Sequence, residues 1–590
     1  MSEDANGPSR AGRRGPGRRL GRNEQRGKSV LDKELYRLNA AAAVEPLVNR
    51  WVAWPHVLSP VPASLHLQSY QLNVLNSYLK DPKIHAEACK NPKLRCGPLV
   101  DIPAERAHEV AAFLAATEVK QGQNLRLAAS LAEFQNYLVG EAKGQCLEPY
   151  YEKLPPELRG YVELIYDYYN RPTVRCLEGM FYESPYYDTS LQSFRLFRET
   201  RDDERPFFMS TPRLPSDSQI EWAVPLASPL ADELFKLDLA PQPLGHIREL
   251  LGLKPSDDHL LLPLLTRERV APPPRWDESS VRIRYVGHAC VLLEYKGTSV
   301  LVDPCVGMMP TAGGIDRYTY ADLPEKIDYA LVTHGHQDHF YVETLLRLRH
   351  RIECLVVPRS SGVFYGDVSL KLLGQKLKFK RVVDLDTFES LPLPDGEIVA
   401  IPFMGEHADL PHAKTAYVVR AGLQQVMFAA DSDCLDRELY THVRRALGPI
   451  QTVFIGLECV GAPLSWSCGP FLPVKPEFSY EQSRRYKGCD AARASMLLDT
   501  VGAERIYIYA MGLEPWLEYL LGLALTDNAP QIVEARKLLR EVEEVGFAEA
   551  KLLFGKDEIH LESAPLEEAA FSSLSSSEEA TDYEEEFQFD

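Results

Sequence analysis

Residues 330–340 read ALVTHGHQDHF, with three histidines and one aspartate inside the six positions His334 to His339. Imidazole nitrogen and carboxylate oxygen are the usual donors for borderline transition metals. In an extended chain residues i and i+2 point the same way, so His334 and His336 can grip one ion together. Asp338 and His339 sit at the turn into the next element and can reach a second ion beside it. The chemistry on offer is that of a dinuclear metal centre at a strand end. The apolar, β-leaning run from Tyr329 to Thr333 must present this cluster, and the helical pattern from Val342 to Leu348 must carry the chain away from it.

The rest of the chain sets the frame for that motif. With 590 residues, two folded domains are expected. Residues 1–28 are basic and rich in Gly and Arg, and 563–590 are acidic and Ser-rich; both compositions predict disorder. Residues 29–270 predict a mixed α/β domain. Its signals are a helical stripe of Leu65, Leu67, Leu72, Leu75 and Leu79, a long helical region from Ala104 to about Gly140, and extended segments at FRLFRET, RPFFMST and IEWAVPLAS. Residues 271–280, APPPRWDESS, form a linker by composition. From 281 to 562 two extended segments are followed by alternating strands and helices, which predicts a layered second domain.

Composition also excludes classes of function. A net charge of −19 disfavours nucleic-acid binding, which rests on Lys and Arg contacts to phosphates. No run of about 18 apolar residues is present, so no membrane span is expected. The 11 cysteines are scattered singly, without a C-x-x-C pair, which points to a reducing, cytoplasmic setting without a disulfide framework.

The stretches VGHACVLLE, TSVLVDPCV, IDYALVTHGHQDH, IPFMGEHADL and VMFAADSDC resemble the metallo-β-lactamase superfamily in order and spacing. That resemblance implies an αββα sandwich with a dinuclear site along one edge. It places further ligands at Glu406 or His407 and at Asp431, and leaves His288 and Asp303 as supporting residues. The zinc hydrolases of the superfamily carry a late histidine. Here none occurs between Val443 and Ile559, and Ala510 and Met511 stand near that place. An oxygen-rich, under-coordinated pair of sites suits iron better than zinc.

Over Ala43 to Phe554 the chain resembles, more specifically, the diiron β-hydroxylases of the chloramphenicol-biosynthesis type that work beside nonribosomal peptide synthetases. AVEPLVNRW, AVPLASPL, GEHADL, TVFIGLECVGA, SWSCGP and YAMGLEPW carry the likeness. The resemblance implies a monooxygenase with two iron ions per chain, oxo- or hydroxo-bridged, using O2 and an external electron donor. Its substrate would be an aminoacyl thioester on a synthetase carrier domain. The metal ligands it implies are His334, His336, Asp338, His339, Glu406 and Asp431, with Glu406 rather than His407 as the loop ligand. Glu458 would hold the substrate ammonium or shuttle a proton. The first domain would form a homodimer and help shape the carrier channel. The alternative is a dinuclear zinc hydrolase acting on an ester, lactone or phosphodiester.

Overall fold

The structure, a computed structural model, describes residues 30–562 except 92–93, 406–411, 473, 484 and 523–524. The expected tails, together with Glu406 and His407, therefore lie outside the described residues.

The second half of the chain builds two seven-stranded sheets packed face to face. In the first the spatial order is Val382–Leu385, Ile352–Pro358, Ile327–Leu331, Thr298–Val302, Cys290–Tyr295, Val281–Gly287 and Asp557–Leu561. In the second it is Ser390–Leu393, Gly396–Ile401, Ala416–Ala421, Gln424–Phe428, Thr452–Ile455, Arg505–Ile508 and Glu549–Leu552. Strand alternation explains the layers. Val291, Leu293, Val300 and Val302 face the other sheet, where Ile398, Tyr417, Phe428 and Phe454 meet them. Their neighbours Cys290, Leu292 and Leu301 face the opposite way, into a core shared with the first half of the chain. Helices Arg437–Leu447, Ala491–Val501 and Pro530–Glu544 cover the outside of the second sheet. This is the αββα sandwich.

Residues 271–280 carry no helix or strand. Buried side chains from either side of them share one core. Leu38, Val44, Trp51 and Phe235 of the first half pack in one cluster with Val332, Leu345 and Leu355 of the second. The first half holds a four-stranded sheet (Trp51–Val52, Ala42–Val48, Gln192–Arg198, Ile220–Trp222) and helices Ala107–Lys120 and Gly122–Glu141. The Leu65 to Leu79 stripe is helical but broken by a π-turn at Leu67–Gln71. RPFFMST, expected as extended strand, is irregular: Phe207, Phe208 and Met209 are buried without a strand partner, and the Phe208 N–H donates to the Tyr519 carbonyl. Tertiary burial, not sheet pairing, is what those aromatic side chains serve.

The two halves are held by desolvated arginines. Arg205 reaches Glu343 at 2.8 and 3.2 Å, and Arg347 reaches Asp238 at 2.6 and 3.0 Å. Arg317 grips Asp202 with both amino groups, and Arg349 donates to Asp232 and to the carbonyls of Leu226 and Ser228. Within the first half, fully buried Glu45 is ringed by Arg195, Arg213 and Arg205. Burial alone would raise its pKa, but the three guanidinium groups outweigh it and hold the carboxyl at about 2, below its ordinary 4.5. The stability this lends is therefore complete above about pH 4.5 and is lost as pH falls through about 2. Glu45→Gln should remove that acid-side dependence and lower stability at pH 7 by about 3–5 kcal/mol, because it leaves the arginines uncompensated. Urea unfolding of both chains at pH 3 and pH 7 measures this.

Candidate metal centre

The site lies where two sets of parallel strands end. Strands Thr298–Val302, Ile327–Leu331 and Ile352–Pro358 run parallel in one sheet, and Gln424–Phe428, Thr452–Ile455 and Arg505–Ile508 do so in the other. Their carboxyl ends deliver, in turn, Asp303, the His334–His339 motif, Asp431, Glu458 and the Ala510–Met511 pair. His288 comes from the turn between Val281–Gly287 and Cys290–Tyr295.

The motif residues converge as the spacing predicts, with a different grouping. His334, His339 and Asp431 bring donor atoms within 4.8 Å of one another, and so do His288, Asp338 and His339. His339 belongs to both groups, so two adjacent positions share it. His336 joins the first through its Nδ1, 3.0 Å from His334 Nε2. His339 Nε2 lies 2.9 Å from Asp431 Oδ2 and 3.5 Å from Asp338 Oδ2.

The surrounding hydrogen bonds fix which atoms are free to bind. Asp303 accepts from the Thr333 N–H at 2.7 Å, from the Thr333 hydroxyl at 2.8 Å and from His339 Nδ1 at 2.8 Å. A carboxylate only accepts, so His339 Nδ1 carries the proton and its Nε2 lone pair faces Asp431. On the other side the Gly512 N–H donates to His288 Nδ1 at 3.3 Å. His288 Nε2 therefore carries a proton and donates to Asp338 Oδ2 at 2.8 Å. His288 orients a carboxylate rather than offering a lone pair to an ion.

These residues fit a cationic group. His339 Nε2 is buried and makes no hydrogen bond among the described residues, yet it faces a carboxylate oxygen at 2.9 Å. Two lone pairs so placed repel unless positive charge stands between them. The electrostatics agree. Burial opposes charge on His339, but Asp431, Asp338 and Asp303 outweigh it and raise its basicity well above the ordinary range. Burial likewise would raise the Asp338 pKa, but His339 and the His288 hydrogen bond hold it well below the usual carboxylate range. The pocket attracts positive charge, and three imidazoles with at least two carboxylates supply borderline donors for it.

Backbone strain collects here. Asp303, His288, Ala430 and Ala510 have φ of 41°, 53°, 47° and 54°, in the left-handed region that non-glycine residues seldom adopt. All four sit at the strand ends that form the site. Gly456 packs tightly beside them: a Cβ there would stand 3.1 Å from both Asp431 Oδ1 and the Ala430 carbonyl.

Two cavities flank the cluster. One, of about 20 Å³, is lined by His288, Asp338, Asp431 and Glu458 and walled by Ala510, Met511, Leu521 and Leu525. Glu458 thus shares a chamber with the carboxylates of the cluster. The other, of about 20 Å³, lies between His336 and His56 of the first half, with Ser467 and Cys468 along one side. Sequence reasoning missed Thr333, Tyr486 and Cys468. The Tyr486 ring packs 5.5 Å from that of His336, and its hydroxyl lies 3.0 Å from Cys468 Sγ. Only the folded path of residues 459–487 brings them there.

Comparison with known proteins now adds to this geometry. The profile of the diiron non-heme β-hydroxylase N-terminal domain matches residues 37–269, and that of the β-lactamase superfamily domain matches 282–393. The 4-amino-L-phenylalanyl-(CmlP peptidyl carrier protein) 3-hydroxylase of Streptomyces venezuelae is 35% identical over 522 residues, covering 87% of this chain and 97% of its own. The crystal structure of CmlA, a diiron β-hydroxylase from Streptomyces venezuelae, superposes with a TM-score of 0.83 at 34% identity over 90% of this chain and all of the other. A UPF0173 protein of Pyrococcus abyssi is 40% identical over 60 residues, which is 10% of this chain and 23% of that protein.

The role of Asp303 can be tested directly. Asp303→Asn keeps the left-handed backbone, which asparagine tolerates, but sets an amide against three donors. Iron affinity measured by chelator competition should fall about 10–100-fold while the metal-free melting temperature changes little.

Proposed function

This chain belongs to the diiron non-heme β-hydroxylase family, and from that membership we propose that it hydroxylates the β-carbon of an aminoacyl group held as a thioester on a nonribosomal peptide synthetase carrier domain. The observation that carries the reading is identity across both halves of the chain to a hydroxylase whose named substrate is carrier-bound. We assign His334, His336, Asp338, His339 and Asp431 as ligands of two irons, with Glu406, outside the described residues, as the loop ligand. Glu458 faces the same chamber and supplies a further carboxylate for the second iron, the substrate ammonium or a proton. O2 is the oxidant and an external donor supplies electrons. A homodimer is part of the same proposal, as is a cytoplasmic setting; among the described residues no helix is long and apolar enough to cross a membrane.

When bound, the irons supply the redox chemistry that a strong C–H bond demands and that a hydrolytic zinc site lacks. The protein's residues do the rest. Asp303 and His288 hold His339 and Asp338 in fixed orientations. Ala510, Met511, Leu521 and Leu525 give the chamber an apolar wall that excludes water and positions one C–H bond. Met511 is not a donor to an ion in this arrangement, because its sulfur accepts the Leu457 N–H at 3.1 Å. The zinc-hydrolase alternative needs neither reductant nor O2, and family membership counts against it.

Two outcomes follow. Purified protein should hold about two irons per chain with ferric absorption that bleaches on reduction, Glu406→Ala should lose iron, and His407→Ala should keep most of it; elemental analysis decides. Reduced enzyme with O2 should add one oxygen atom to an amino acid loaded on a carrier and act very poorly on the free amino acid. Mass spectrometry of both substrates at matched concentration tests this, and equal hydroxylation of the free amino acid would refute the carrier-bound substrate.

A further inference from the structure

Helix Ala491–Val501 covers the outside of the second sheet, and its first turn meets the strand ends that carry Asp431 and Glu458. Its inner face is apolar: Ala494, Leu497, Leu498 and Val501 are buried in the core between helix and sheet. Asp490 caps the helix, accepting the Arg493 N–H at 3.0 Å and Arg493 Nε at 3.1 Å. With its stem held there, the Arg493 guanidinium reaches two further partners. One amino group donates to Asp433 Oδ2 at 2.5 Å and the other to the Gly488 carbonyl at 3.3 Å.

Both partners belong to the frame of the metal centre. Asp433 is buried two residues beyond Asp431. Its N–H donates to the Met404 carbonyl at 2.7 Å, and its carbonyl accepts the Tyr440 hydroxyl at 3.0 Å. Gly488 packs between the backbones of Asp431 and Glu458. A Cβ there would stand 3.2 Å from the Asp431 carbonyl oxygen and 3.5 Å from that of Glu458, and the Gly488 N–H donates to the Glu458 carbonyl at 2.7 Å. One guanidinium therefore ties the Asp431 strand end to the Glu458 strand end through the chain that returns at Gly488.

We propose that Arg493 is a positioning residue: it sets the separation of Asp431 and Glu458, and with it the affinity of the metal position beside Glu458. The proposal rests on the reading that the cluster holds two irons. The helix does not need this contact for its own docking. Four apolar side chains bury it, whereas the Arg493 side chain is a quarter exposed, and an ion pair so placed adds little stability. What the guanidinium adds is geometry, because its planar donors fix two directions at once, which neither an apolar contact nor a lysine does. The histidine-rich side of the centre is held by other groups. Asp303 accepts from His339 Nδ1, and the Thr333 hydroxyl lies 3.1 Å from His334 Nδ1. The two sides of the centre should therefore respond differently to loss of Arg493.

The test dialyses the full metal-free chain anaerobically against graded ferrous iron and counts bound iron by elemental analysis. Wild-type protein should fill two positions. Arg493→Ala should fill the first at the wild-type concentration and the second only at about 10–100-fold higher iron. Arg493→Lys, which keeps a charge beside Asp433 without the two-directional contact, should fall between. Asp433→Asn should repeat the Arg493→Ala pattern, and both changes together should weaken binding no more than either alone, because they break one path. Arg437→Ala breaks an exposed ion pair from a neighbouring helix to Asp499 of the same helix, and should leave both positions as they are. Equal weakening of both positions, no weakening of either, or a combined loss that simply adds would overturn the role. Should Arg493→Ala fail to fold, Arg493→Lys and Asp433→Asn decide between the same outcomes. Wild-type protein that fills fewer than two positions would instead refute the two-iron reading, and the role of Arg493 with it.

Discussion

The His334–His339 loop is held in place by charge buried between the two halves of the chain. Helix Val342–Leu348 begins three residues after His339, and all seven of its residues are buried. Its Glu343 is clamped by Arg205, its Arg347 by Asp238, and both partners come from the first half. Desolvating such pairs costs several kcal/mol per ion, and a well-packed apolar substitute is often as stable. Their geometric demand is what sets them apart. An apolar contact tolerates a slide of an ångström, whereas a bidentate guanidinium–carboxylate pair does not. Ligand placement within a fraction of an ångström is what a metal site requires, and the pairs that flank the motif supply that constraint. Tyr341 and Tyr519 extend it: their hydroxyls meet at 2.5 Å while Tyr341 donates to Glu343 and Arg205 donates to Tyr519.

Strain at the site is the counterpart of that rigidity. Asp303, His288, Ala430 and Ala510 all hold left-handed backbone where their strands end. Each such residue costs on the order of 1–3 kcal/mol unless the surroundings over-determine it. Here they do. The Asp303 N–H donates to the Leu331 carbonyl, the Ala510 N–H to the His288 carbonyl, and the Ala430 N–H to the Tyr509 hydroxyl. The turns let each strand deliver a side chain toward one point instead of letting the chain run past it.

What could be read from sequence follows from distance along the chain. His334 to His339 declare themselves because strand periodicity and donor chemistry act over six residues. Asp431 and Glu458 are visible only because neighbouring stretches resemble a family. Nothing local to the arginines of RLRHR, at 347–351, states that Asp232 and Asp238 wait for them more than a hundred residues earlier. The RPFFMST segment misleads for a related reason: its aromatic residues have strand propensity, but a proline and a docking surface on Tyr519 decide their conformation. Composition and the linker mark off the first half, and its core is continuous with the outer face of the first sheet. A shared core leaves no trace in local periodicity.

The departure from the hydrolases also has a physical reading. Where those enzymes carry a late histidine, this strand ends in Ala510 and Met511, and both line the chamber beside Asp338, Asp431 and Glu458. Alanine offers no donor, and the methionine sulfur is occupied by the Leu457 N–H. One side of the carboxylate-rich half of the site therefore ends in apolar surface. A hydrolase gains from a further ligand and a wet approach, because water is its reagent. An oxygenase must keep water from its oxidant and bring a C–H bond close, so an apolar wall with no competing donor serves it better. Replacing one imidazole by alanine and a capped thioether changes which reagent can approach, while the opposite face, with His334, His336 and His339, keeps its nitrogen donors.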